Sequence, residues 1–190
     1  MQKNIIRKIY LNKRQELSSS IFKEKSSRLI EDTVSLIDKD RPKCVHCFLP
    51  IFAKDEIDTT PIIQYCWDNK ISLLVPVSNF NEGTMRNAEF HPDTKTVQKK
   101  YNITEPLNPV WIANHNIDMV ITPLLAFDAK GYRVGYGKGF YDRFFDSLNK
   151  DTKRVGISIF DHCEDIEGLA KHDIPLTHCV TPNKTYFFVE

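Results

Sequence analysis

Apolar positions recur along this chain at two different spacings, and the switches between them outline its organisation. Residues 2 to about 17 carry Ile5, Ile6, Ile9 and Leu17 toward one side of a helix. Ser18, Ser19 and Ser20 form a cap signal for a second helix, with Phe22, Leu29, Ile30, Val34 and Ile37 on one face and an end near 38–42. Residues 44–49 then read as a buried strand, Thr59-Thr60-Pro61 as the start of a short helix through Asn69, and 72–77 as the next strand. Short apolar runs at 119–122, 124–127, 154–159 and 186–189 suit a sheet covered on both faces. Residues 79–117 break the pattern, punctuated by Gly83, Pro92, Pro106 and Pro109, and predict a pair of strands around 85–91 with a loop through Glu105-Pro106. The alternation predicts an α/β fold.

Composition narrows the classes of partner. The chain has 190 residues, the size of one domain (1–190) able to bury a core without disulfides or metal. Its 26 basic and 25 acidic residues leave a formal charge of +1, so no global field draws it to nucleic acid or membrane. No apolar run approaches the ~20 residues that span a bilayer, and the first residues lack the apolar core of a secretory signal. The expectation is a soluble, cytoplasmic monomer with small-molecule partners. Five cysteines, at 44, 47, 66, 163 and 179, then read as reduced thiols. Cys44-Val45-His46-Cys47 runs on into Phe48-Leu49 like a buried strand rather than opening a helix, and no second pair has good zinc spacing, so both cysteines read as core residues.

The chemistry concentrates at 128–143. Gly135, Gly137 and Gly139 alternate with Tyr136 and Lys138, directly before Phe140-Tyr141-Asp142-Arg143, which opens a stretch of helical spacing. Glycines allow positive φ and close backbone approach, helix-opening N–H groups point at an anion, and Lys138 adds a full charge. Phosphate is the natural occupant. Two common phosphate loops are excluded by spacing: a Walker A loop needs Ser or Thr where Gly139 stands, and a dinucleotide fingerprint needs glycine where Phe140 stands. On the first helix Lys3, Arg7 and Arg14 form a separate basic stripe with no acid before Glu16, which by charge alone reads as a solvated face.

The run Arg133-Val134-Gly135-Tyr136-Gly137-Lys138-Gly139-Phe140-Tyr141-Asp142 closely resembles the signature of the 5-formyltetrahydrofolate cyclo-ligase family, also called 5,10-methenyltetrahydrofolate synthetases. The resemblance extends to Lys3-Asn4-Ile5-Ile6-Arg7, to Asp55-Glu56-Ile57-Asp58-Thr59, to Tyr101 through Pro106 and to His172-Asp173. Phe140 stands where the family usually has tyrosine and Asn102 where it often has glycine. The resemblance implies a three-layer Rossmann-like sandwich, with a mostly parallel sheet and helices on both faces, related to the ribose-phosphate isomerase and CoA-transferase group.

It also implies an activity: ATP- and magnesium-dependent closure of 5-formyltetrahydrofolate to 5,10-methenyltetrahydrofolate. By the same resemblance Lys3, Asn4, Ile5, Ile6 and Arg7 contact ATP, together with the run from Arg133 through Tyr141. Lys138 and Arg133 are the implied catalytic cations. Ile51 and Glu56 would meet the folate, as would Tyr136, Gly137, Lys138, Gly139 and Phe140, while Asp142 and Asp173 would hold magnesium. From spacing alone Asp142 is a first-turn acid favoured by the helix dipole, Asp173 a turn residue before Pro175, and Glu56 a solvated loop acid. Trp111 is a candidate for stacking on the folate, although an isolated tryptophan is more often core. Two alternatives stand beside this reading: a paralogue acting with ATP on another formyl or amide compound, and a non-catalytic folate- or RNA-binding module, the latter disfavoured by the neutral charge.

Overall fold

The computed structural model describes residues 1–188. Among these the main sheet has eight strands, built around a parallel centre. Its order is β12 (Thr185–Phe187), β11 (His178–Val180), β10 (Lys153–Ile157), β7 (Met119–Pro123), β1 (Cys44–Cys47), β2 (Ser72–Asn79), β3 (Thr84–Glu89) and β6 (Trp111–Ile112). From β11 to β2 every neighbour is parallel, and β12, β3 and β6 add antiparallel edges.

The parallel strands are apolar on both faces because both faces are covered. Val45, Cys47, Leu73, Val75, Met119, Ile121, Val155 and Ile157 face one core with the helices α2 (Ser19–Asp40) and α3 (Thr60–Asp68). Their alternates Cys44, Leu74, Val120 and Cys179 face a second core with Phe144 and Phe145 of α4 (Phe140–Asp146). The result is the predicted α/β sandwich. Gly156 marks the tightest point: a Cβ there would lie 2.5 Å from Leu124 and 2.6 Å from Leu176.

Helix α1 (Lys3–Gln15) packs on a small two-stranded sheet of β8 (Ala126–Phe127) and β9 (Arg133–Val134). The run 124–127 was expected in the main sheet; instead the chain leaves β7 at Pro123 and turns back to pair with β9 at the foot of the glycine loop. The buried stripe of α1 is Ile6, Tyr10 and Arg14, whereas Ile5 is 48% exposed. The basic stripe is therefore not a solvated face. Ser18 caps α2 by accepting from the Ile21 N–H, and Arg41 ends the helix in the left-handed region. At α3 the expected cap differs: the Thr59 hydroxyl donates to the Phe48 carbonyl at 2.7 Å, and Asp58 accepts the Thr60 N–H.

The irregular segment also holds more order than its prolines suggest. Rather than a pair of strands at 85–91, β3 extends a long hairpin with β2, and residues 104–106 form β5, paired with β4 (Thr96–Gln98), not a loop. Buried Glu105 organises it, accepting the Ser78 N–H and pairing with Lys99. Trp111 is not core: it lies on the edge strand, 41% exposed, under the Arg86 guanidinium at 3.8 Å. The strand expected over 186–189 is observed at Thr185–Phe187, and Val189 lies outside the described residues. Strand β11 came from no apolar run. Among the described residues no helix is long and apolar enough to cross a membrane.

Packing at Gly156 generates a direct test. Gly156→Ala forces two buried leucines aside and should destabilise the fold by about 1–3 kcal/mol. A lower urea midpoint at unchanged slope is the expected result.

Candidate active site

Strand β1 is central, and the chain places β2 on one side of it and β7 on the other. Such a switch point opens a crevice at the carboxyl ends of the strands. Phe48 and Leu49 after β1, Pro123 at the end of β7, and Pro76 and Ser78 of β2 line a cavity of about 340 Å³ there. The glycine loop closes one side. Gly137 (φ +92°) and Gly139 (φ +65°) hold left-handed conformations that side chains with a Cβ rarely adopt, and a Cβ at Gly137 would sit 3.2 Å from the Arg7 guanidinium.

Helix α1 supplies cations to that loop. Arg7 Nε donates to the Gly135 carbonyl at 2.9 Å, and Lys3 pairs with Asp173. Lys138 is exposed at the loop's crest, and its side chain has no hydrogen bond or ion pair among the described residues. Arg133 is more deeply set, its side chain 6% exposed, and donates to Asp142 at 2.7 Å and to the Ile174 carbonyl at 2.6 Å. Burial pulls the Arg133 pKa down while neighbouring Asp142 acts against that shift. Near the loop the lining cations Lys3, Arg7, Arg133 and Lys138 outnumber the carboxylates Asp142 and Asp173. This end of the cavity is suited to a polyanion.

The other end is apolar with a single buried acid. Phe48, Leu49, Ile51, Phe80, Met85 and Ile103 form its walls. Glu56 accepts the Ile51 N–H at 2.8 Å and hydrogen-bonds to the Tyr136 hydroxyl; Arg14 Nη1 approaches that hydroxyl at 3.4 Å. Burial raises the Glu56 pKa, opposed by the Ile51 N–H and the Tyr136 hydroxyl. Lys54 Nζ rests 4.4 Å from the centre of the Tyr136 ring. A flat, partly polar ring system that carries an N–H edge fits such a slot.

A model of the 5-formyltetrahydrofolate cyclo-ligase family matches residues 1–182. The chain belongs to this family. Among its curated relatives, the Escherichia coli (strain K12) 5-formyltetrahydrofolate cyclo-ligase is 35% identical over 137 residues, 69% of this chain and 74% of that one. The Haemophilus influenzae cyclo-ligase is 34% identical over 153 residues, 77% and 79% of the two chains. The solved structure of Aquifex aeolicus 5,10-methenyltetrahydrofolate synthetase superposes with a TM-score of 0.81 at 26% identity, covering 99% of this chain and 93% of that one.

Of the residues singled out from sequence and cyclo-ligase resemblance, the structure gathers Lys3, Arg7, Ile51, Glu56, Arg133, Asp142 and Asp173 around this cavity, with Gly135 through Tyr141. It does not bring the side chains of Asn4, Ile5, Ile6 and Val134 there: Ile6 and Val134 are core, Ile5 is exposed, and Asn4 accepts the Ile5 N–H. Sequence reasoning missed Phe48, Leu49 and Pro123, which the rule of strand ends could have found. It also missed Phe80, Met85 and Ile103, which lie in a stretch without readable period.

A metal would have to rely on its ligand. Among the described residues no group of three or more His, Cys, Asp or Glu could hold an ion, and Cys44 and Cys47 face opposite cores of the sheet. Both thiols are buried, and burial raises their pKa, that of Cys44 to about 11. Asp142 uses Oδ1 for Arg133 and Ile174, and Asp173 uses Oδ2 for Lys3 and Ala170, so each carboxylate keeps one oxygen without a hydrogen bond. Two such oxygens fit a hydrated magnesium whose other ligands are phosphate and water.

The raised Glu56 pKa has a signed consequence for stability. Below the ordinary glutamate range the group is protonated both folded and unfolded; above it, ionisation penalises the folded state progressively up to the raised value. Glu56→Gln removes that penalty and keeps an acceptor for Ile51. Its urea midpoint relative to the parent should therefore climb as the pH rises above the ordinary glutamate range. A constant difference would show that Glu56 ionises normally.

Proposed function

We propose that this protein closes 5-formyltetrahydrofolate to 5,10-methenyltetrahydrofolate at the expense of ATP, releasing ADP and phosphate. One observation carries the reading: a cation-lined glycine loop and an apolar slot with a buried carboxylate share one cavity, so a phosphoryl donor and a flat acceptor can meet.

Ring closure has to expel the formyl oxygen, and oxide is too poor a leaving group. Attack of that oxygen on the γ-phosphorus breaks the terminal P–O bond of ATP and frees ADP. The neighbouring folate nitrogen then attacks the activated carbon and gives up its proton, and the C–O bond breaks as phosphate departs. The protein's part is to position reactants and stabilise spreading phosphoryl charge.

Lys138 and the backbone N–H groups of the glycine loop hold the phosphates. Lys3 and Arg7 approach them from α1, and Arg133 holds Asp142 while lending its charge from below. Glu56 accepts from the ring N–H and amino group of the pterin, since each carboxylate oxygen accepts more than one donor. Ile51, Tyr136 and Phe140 pack against the folate rings. Asp142 and Asp173 would hold magnesium, which when bound spreads the phosphate charge.

Two measurements bear on this reading. Mixing protein, magnesium, ATP and 5-formyltetrahydrofolate should produce methenyltetrahydrofolate absorbance, and Lys138→Ala should cut turnover about a hundredfold or more at an unchanged melting temperature. No absorbance with the parent protein, or near-normal turnover in the variant, would count against it. For the metal, Asp173→Asn leaves the Arg133–Asp142 pair in place and weakens only the pair with Lys3. It should raise the magnesium needed for half-maximal rate severalfold, on the order of the loss of one carboxylate ligand; an unchanged titration removes Asp173 from the metal's surroundings.

A further inference from the structure

One side chain ties the β2–β3 hairpin to the glycine loop. Arg143 of α4 donates from Nε to the Gly83 carbonyl at 2.6 Å and from Nη2 to the Lys138 carbonyl at 2.6 Å. Both segments are shaped to let it in. Gly83 has φ +67°, and a Cβ there would lie 2.7 Å from Arg143 Nη2; a Cβ at Gly139 would lie 3.2 Å from Nη1.

A second seam joins the same two segments. Phe80, before the hairpin turn, meets the Phe140 ring edge-on at 5.4 Å and the Tyr101 ring at 5.2 Å. Phe80 is a wall of the apolar slot, while Lys138 and Gly139 belong to the cationic end. Packing does not require Arg143 there. The side chain is exposed, and α4 is already fastened by buried Phe144 and Phe145 and by the Asp142 pair with Arg133.

We propose that Arg143 is a positioning residue that couples the two halves of the cavity. With the clamp closed, the hairpin wall and the backbone of Lys138 are held in one arrangement; with it open, each moves alone. A ligand that favours the closed state from the apolar end then improves binding at the cationic end, and the reverse holds by linkage. The charged donor makes each clamp bond stronger than a neutral one. The inference rests on the functional reading above for the identity of the two ligands.

The test is the dissociation constant of a non-hydrolysable ATP analogue for the full chain, with and without saturating 5-formyltetrahydrofolate. In the parent protein the folate should tighten the analogue by about fivefold or more, the lower range of allosteric coupling. Arg143→Gln removes the fork, and Gly83→Ala displaces it from the hairpin side without changing charge. Each should bring the ratio to about one, the value without coupling. Should Arg143→Gln fold poorly, Gly83→Ala decides alone. A parent ratio near one, or a ratio preserved in the variants while their melting temperature falls, overturns the coupling and leaves the functional reading intact. Failure of the parent to bind either ligand overturns both.

Discussion

The part-buried pair of Arg133 and Asp142 is the constraint on which the site depends. Arg133 opens β9 and Asp142 lies in the first turn of α4, so their bond joins the two ends of the glycine loop. Both partners also bond Ile174, the carbonyl to Arg133 and the N–H to Asp142, which draws the carboxyl-terminal segment and its Asp173 against the loop. The guanidinium lies over the Phe145 ring at 4.4 Å, fixing it to the second core. Losing Asp142 would leave the deeply set Arg133 guanidinium, 6% exposed, without its charged partner. The pair keeps the loop's entry, exit and neighbour in register.

Helix α1 is held to this frame by polar bonds and packing together. Ile6 and Tyr10 pack on Leu125, Ala126 and Val134, while Arg14, almost fully buried, donates to the Leu124 carbonyl at 3.0 Å and reaches Tyr136. The amino terminus adds a backbone bond to Asp165 and a pair with Glu167. With the apolar contacts facing β8 and β9, Arg7 is directed onto the loop and Lys3 onto Asp173. Lys3 and Arg7 thus face the cavity because their neighbours on the wheel are buried.

The two ends of the cavity differ in what holds them. The cationic end is built from backbone in conformations that need glycine and from charges tied in pairs. Its apolar end hangs on the hairpin β2–β3, kept in place by Glu105 from β5 and by aromatic contacts between Phe80, Tyr101 and Phe140. Tyr101 and Asn102 both have positive φ, with Asn102 where the cyclo-ligase family often has glycine, so strain is stored beside Ile103 on the cavity wall.

Periodicity determined the α/β class, the helices and most of the central strands, and the glycine spacing the loop, because these are local: each depends on residues within a few positions along the chain. The catalytic candidates around Gly135 to Asp142 were legible for the same reason, since glycine, lysine and a helix start form an anion site within one segment. Glu56 read as a solvated acid and Lys3, Arg7 and Arg14 as a solvated stripe, because burial is not a property of a segment. Only the tertiary structure turned the 124–127 run out of the sheet, made β4 and β5 from a proline-broken stretch, and set Phe80 opposite Phe140. Those outcomes are decided by contacts between residues far apart in sequence, where the free energy comes from burying a face against a partner that the local pattern does not name.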